Sequence, residues 1–173
     1  SVALDRIRSD PRGFGLATSK ATPLDEGDQK GVLRRLIENR KKDPKFHELD
    51  MWKLKEKMGY HRARGVGFAV DYTPEGHKLA EKAHRGYHAM TEAEILLWKD
   101  YEEAKTQASV VDFDDMLHLV VRRGQIDDVW RSGIQRQFRH VLMDEAQDTN
   151  PVQWQFVEML LDPSNHSLCA VGD

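Results

Sequence analysis

The 173-residue sequence predicts an α/β chain with two regions: a mainly helical one over residues 1–108, then a portion of a parallel sheet over residues 109–173. Three observations predict it. Through much of the helical region, apolar residues recur at three- and four-residue intervals, the spacing that gives a helix one buried stripe. In the later region, a pair of short apolar runs, RHVLMD and SLCAVGD, flanks the helical stretch PVQWQFVEMLL. Strand, helix and strand within about thirty-five residues make a βαβ unit, whose two strands run parallel. Charge divides the same way: residues 1–108 hold 21 Lys and Arg against 18 Asp and Glu, and residues 109–173 hold 5 against 11.

The elements follow in order. The opening twenty residues, with Pro11, Gly13 and Gly15 and little periodicity, read as a connecting segment. PLDEGDQKGVLRRLIENRKK places acids before Val32, Leu33, Leu36 and Ile37 and bases after them, which suits the dipole of an amphipathic helix. DPKFHELDMWKLKEKMG brings Phe46, Leu49 and Trp52 at three-residue intervals, which predicts a buried Trp52, and ends on Gly59 as a stop. YHRARGVGFAVDY reads as a loop. TPEGHKLAEKAHRGYH and TEAEILLWKDYEEAKTQA read as helices, the second opened by Thr91 and Glu94 in capping-box spacing. VDFDDMLHLVVRRG predicts a helix started by Asp112, with Phe113, Met116, Leu117 and Val120 on one face; IDDVWRSGIQRQF is a weaker one. RHVLMD has the length of a buried strand. Pro151 suits the first turn of the next helix, capped by Thr149 or Asn150.

Composition narrows the class. Hydrophobic residues make up 39% and charged residues 32%, enough for a core and a solvated surface. A single cysteine, Cys169, excludes an internal disulfide framework and points to a reducing, cytoplasmic setting. Apolar runs all fall short of the ~18 residues that suggest a membrane span, and the N-terminus lacks a secretion-signal pattern. Within Lys30–Arg64 there are 12 basic and 5 acidic residues, which fits a polyanion as partner and equally fits solvated helix faces.

The stretch HVLMDEAQDTNP holds the candidate chemistry. In open parallel sheets ligands gather at the carboxyl ends of the strands. Asp144 and Glu145 would sit there, and Asp173 would end the neighbouring strand at a similar level. Such an edge suits Mg²⁺, which keeps several waters and takes one or two carboxylates together with phosphate oxygens. Asp144 would hold the hydrated metal against a nucleotide, and Glu145 would orient the attacking water or take its proton. Strand alternation would send the two acids in different directions. A bare acidic pair after apolar residues is also a common way to end a strand and begin a loop.

The longer pattern goes further. DEAQDTNPVQW resembles motif II, the Walker B segment, of UvrD/Rep-type superfamily 1 helicases. VDFDDML resembles that family's VDFDDLL segment, AVGD the opening of its motif III, and LDEGDQKGVLRRLIE its acidic stretch opening a helix. The resemblance covers most of the chain and is densest from Val111 onward. It implies that residues 1–108 are a helical, DNA-contacting domain of the 1B type, and residues 109–173 a portion of the RecA-like motor domain 1A. It implies ATP and Mg²⁺ as cofactors. Asp144 becomes the magnesium-side acid and Glu145 the catalytic one, with Gln147 and Asp148 coupling nucleotide state to the motor and Asp173 at the nucleotide edge. The Asp112–Asp115 segment is implied to be mainly structural. The partners implied are single-stranded DNA, its junctions with duplex, and the rest of a helicase polypeptide moving 3′→5′. This sequence contains no GxxxxGK[ST] phosphate-binding loop, so it reads as a fragment unable to hydrolyse ATP alone. Two rivals remain: a non-catalytic DNA-binding or scaffolding module, and the motor of a RecB/AddA-like helicase–nuclease.

Lys53, Lys55, Arg62 and Arg64 are the candidate DNA contacts within a basic set that also holds Lys41, Lys42 and Lys57. Trp52, Tyr60, Phe68 and Tyr72 are aromatics that would stack on bases if exposed. His84 and His88, four apart, lack a third metal ligand, and Cys169 reads as a small buried hydrophobe inside a strand.

Overall fold

A computed structural model describes residues 2–14, 16, 21–64, 89–162, 164 and 167–173. The predicted helix over TPEGHKLAEKAHRGYH, the loop around Gly65 and Gly67, Phe68, Tyr72, and the His84–His88 pair lie outside these residues. Among the described residues, helices α1 (Val2–Ser9), α2 (Glu26–Arg40), α3 (Met51–Arg62), α4 (Glu92–Ala108), α5 (Phe113–Ile126), α6 (Asp128–Gln135) and α7 (Pro151–Leu160) are interspersed with short strands β1 (Thr22–Pro23), β2 (Val110–Val111), β3 (His140–Met143) and β4 (Ser167–Ala170). The strands form two parallel pairs, β1 with β2 and β3 with β4. The second pair, with α7 crossing between its strands, is the βαβ unit that the sequence predicts.

Two apolar clusters organise the packing. One gathers Leu33, Phe46, Leu54, Met58, Leu97, Trp98 and Tyr101 from α2, α3, α4 and the turn that holds Phe46. The other gathers Ile7, Phe14, Val111, Met116, Val120, Ile134 and Met159. The opening residues are therefore not a mere connector. Ala3 and Ile7, four apart, bury one side of α1 in the second cluster, and Ile7 is fully buried. So the first residues of the chain pack with residues 111–160, across the sequence division at 108/109.

Local signals explain the helix ends. Thr91 and Glu94 close a reciprocal capping box on α4, Asp112 and Asp115 on α5, and Asn150 and Gln153 on α7, where Pro151 takes the first turn. Gly59 does not stop α3; the helix continues to Arg62 because His61 and Arg62 are buried at its end. Trp52 is 58% exposed rather than core. The buried face of α3 is Leu54, Lys57, Met58 and His61, and a residue two before Leu54 lies about 200° around the helix from it. Phe113, in the first turn of α5, is also exposed, because the inward side there belongs to Asp112 and Asp115. Cys169 and Leu142 are exposed too, against the expectation of buried strands. Among the described residues β3 and β4 have no further strand beside them and no cover over that face.

Candidate functional site

Asp144 and Glu145 stand at the carboxyl end of β3, where the chain leaves the sheet. Two bonds tie this exit to the end of β4: the Val171 N–H donates to the Met143 carbonyl (2.8 Å), and the Ala146 N–H to the Val171 carbonyl (2.9 Å). The strand geometry ends at Met143, so alternation does not set the direction of the second acid. Glu145 instead adopts a left-handed backbone, φ 52° and ψ 47°, which costs a non-glycine residue about 1–2 kcal/mol. Such strain persists where the surroundings over-determine it, commonly at functional sites.

Those surroundings are visible. The Glu145 N–H donates to Asp144 Oδ1 (3.0 Å), and the Asp148 N–H to the Glu145 carbonyl (3.0 Å), which closes a single 3₁₀ turn over Ala146–Asp148. The Gln147 amide donates to Glu145 Oε2 (2.6 Å) and fixes that carboxylate. Asp144, Glu145, Gln147, Asp148 and Asp173 all remain at least partly open to solvent. Gly172 presses on the turn: a Cβ there would overlap Gln147 Oε1 and lie 3.1 Å from the Ala146 nitrogen and 3.3 Å from that of Gln147. Asp173 follows directly. Among the described residues no three His, Cys, Asp or Glu side chains cluster as a ready metal cage. The adjacent exposed pair, Asp144 and Glu145, offers the one or two carboxylates that Mg²⁺ takes, the rest of its shell being water and phosphate.

The basic candidates separate by burial. Lys53 is exposed, and Lys55 is half-buried and paired with Glu26 (2.7 Å), which also meets Lys30 (3.1 Å). Lys30 in turn lies 4.5 Å over the ring of exposed Trp52. Arg64 is exposed, its guanidinium 3.6 Å over the Tyr60 ring. Arg62 is different, and its reading as a DNA contact is corrected. Its side chain is 4% exposed and pairs with Glu102 and with Asp112 (2.8 Å). No phosphate can reach a guanidinium so enclosed. Lys57 is likewise buried against Glu94 (2.8 Å).

Arg62 belongs to a buried ionic cluster between the two apolar clusters. Lys105 meets Glu102 (3.0 Å), Asp112 (2.9 Å) and Asp115 (2.7 Å); Tyr101 donates to Asp112 and the Trp98 indole to Glu102. His118 donates a ring N–H to the Arg62 carbonyl (2.6 Å), and burial lowers its pKa. Two cations face three carboxylates. Burial pushes the Asp115 carboxyl up to about 6 although Lys105 and Arg62 pull it down. At Asp112 burial also disfavours the charge, but the attraction and direct bonds of Arg62 and Lys105 win and hold it well below the usual carboxylate range. Within the Asp112–Asp115 segment, Asp112 and Asp115 thus have a structural role, while Phe113 and Asp114 are exposed. The partners Arg62 and Lys105 escaped sequence reading because nothing local distinguishes them from surface bases.

Comparison with known proteins bears on this architecture. The family model described as the UvrD/REP helicase N-terminal domain matches residues 1–173. The ATP-dependent DNA helicase PcrA of Staphylococcus epidermidis is 25% identical over 178 residues, spanning 100% of this chain and 22% of that protein; PcrA of Staphylococcus aureus gives the same figures. A putative ATP-dependent DNA helicase of Bacillus subtilis, YjcD, is 38% identical over 81 residues, 44% of this chain and 10% of that protein. The chain therefore spans about a fifth of the length of its PcrA relatives. No helix among the described residues is long and apolar enough to cross a membrane. Because that family model matches residues 1–173, the chain belongs to the UvrD/REP helicase N-terminal domain family.

Proposed function

We propose that this chain supplies the Walker B edge and a DNA-contacting helical region of an ATP-dependent, intracellular DNA helicase that moves 3′→5′ on single-stranded DNA. The observation that carries this reading is an exposed Asp144–Glu145 pair at the carboxyl end of a parallel strand, in a chain of this family. Bound MgATP would supply the γ-phosphoryl group and the metal that neutralises its charge. Asp144, one of whose oxygens accepts from the Glu145 N–H, would hold the metal through its other oxygen. Glu145 accepts the proton of the attacking water, held in direction by the Gln147 amide. Asp148 and Asp173 would add negative charge near the same strand ends. The helical part of residues 1–108 that packs around Leu33, Leu54 and Trp98 corresponds to the 1B-type region, and residues 109–173, together with α1 packed against them, to a portion of motor domain 1A. Single-stranded DNA and its junctions with duplex are the substrate, met by Lys53, Lys55 and Arg64 and not by Arg62.

The phosphate-binding loop and the second motor domain would come from the remainder of the polypeptide, so this chain alone does not turn over ATP. Positioned groups contribute about 7–11 kcal/mol to such reactions, and half a site forfeits that contribution. The test is Glu145→Gln in the full-length protein. DNA-stimulated ATPase should fall at least about a hundredfold, general-base loss being worth ~10²–10⁴, while ATP affinity stays within a few-fold. Turnover retained near the wild-type rate overturns the assignment.

A further inference from the structure

The end of β4 bears on the turn that carries the acids, and this contact has a consequence for the reaction proposed above. The chain after β4 passes so close to Ala146–Gln147 that a methyl group at Gly172 would displace the Gln147 side-chain amide and press on the backbone nitrogens of Ala146 and Gln147. The group it crowds most is the Gln147 side-chain amide, the same amide that donates to Glu145 Oε2 (2.6 Å). Glu145 meanwhile sits in a left-handed conformation whose orientation depends on its surroundings. Gly172, Gln147 and Glu145 therefore form a line of contact from the exit of one strand to the carboxylate at the exit of the other. We propose that Gly172 is a positioning residue: its missing side chain seats the Gln147 amide, which aims the Glu145 carboxylate.

This inference rests on the reading of Glu145 as the proton acceptor, and adds that the aim is set from β4. A methyl at position 172 would make the amide retreat by roughly 1 Å to reach ordinary contact. A misplacement of that size is enough to cost on the order of a hundredfold in rate.

The experiment compares Gly172→Ala, Gln147→Ala, the double variant and Glu145→Gln in the full-length protein. Gly172→Ala should lower kcat ten- to a hundredfold and leave KM for MgATP within about threefold. In the Gln147→Ala background the same change should cost less than about threefold, because the crowded amide is gone. Without nucleotide, the side-chain amide resonance of Gln147, identified by its loss in Gln147→Ala, should move in both Gly172→Ala and Glu145→Gln. An unchanged kcat in Gly172→Ala, two losses that multiply independently, or an unmoved amide resonance overturns the proposal. If Glu145→Gln keeps full turnover the underlying reading fails; if only Gly172→Ala is silent, the positioning role alone fails.

Discussion

Replacing Arg62 with alanine should destabilise the chain by about 3–5 kcal/mol, the usual cost of removing one partner from a buried ionic group. The structure shows why the upper end of the mutational range applies. Arg62 Nη1 donates to both oxygens of Asp112 (3.0 and 2.8 Å), and Nη2 pairs with Glu102 and lies 3.4 Å from Asp115. Bonds to charged groups contribute about 1.5–3 kcal/mol each, so losing those to two carboxylates reaches the same range. Without the guanidinium, Lys105 alone would face Glu102, Asp112 and Asp115. The assay is urea denaturation of the chain followed by tryptophan fluorescence. Trp98, fully buried and donating to Glu102 (2.7 Å), reports directly on the cluster. The midpoint should fall with the m-value unchanged. A loss under about 1 kcal/mol, the size typical of exposed ion pairs, would refute the reasoning. Arg64→Ala is the matched control and should stay within about 0.5 kcal/mol.

Other outcomes follow from the same geometry. In DNA binding by the full-length protein, Arg64→Ala should lower the slope of log affinity against log salt by about 0.7 for single strands if Arg64 meets one phosphate; an unchanged slope removes it from the interface. Asp115 binds its proton more tightly folded (about 6) than at its ordinary value of 3.8, so its contribution to stability is full at low pH and is lost as pH rises through that window. Asp115→Asn should therefore be more favourable relative to wild type at pH 7 than at pH 4.5, by on the order of 1–3 kcal/mol, and a pH-independent difference in unfolding midpoints would contradict this. Glu145→Gly relieves a left-handed backbone and should raise stability by about 1 kcal/mol while abolishing the proposed turnover, as thermal melts alongside ATPase rates would show.

Features that depend on nearest neighbours can be read from the residues alone. Caps at Thr91, Asp112 and Asn150 are legible because a side chain satisfies a backbone donor three residues away, and that geometry needs no tertiary partner. The βαβ unit and the place of Asp144 and Glu145 at a strand end are legible for a similar reason: run lengths and the crossover constrain them. Tertiary structure decided what depends on who stands opposite. Arg62 and Arg64 are two residues apart and identical in type, yet one is sealed among carboxylates from α4 and the start of α5 while the other lies over Tyr60 in solvent. Trp52 faces outward because the packing of α3 chose the Leu54–Met58 face, and Ile7 is core because α5 lies beside it. The left-handed turn at Glu145 and the crowding at Gly172 arise where two strand ends meet. Burial and contact between segments distant in sequence are properties of the assembled chain, and no local pattern encodes them.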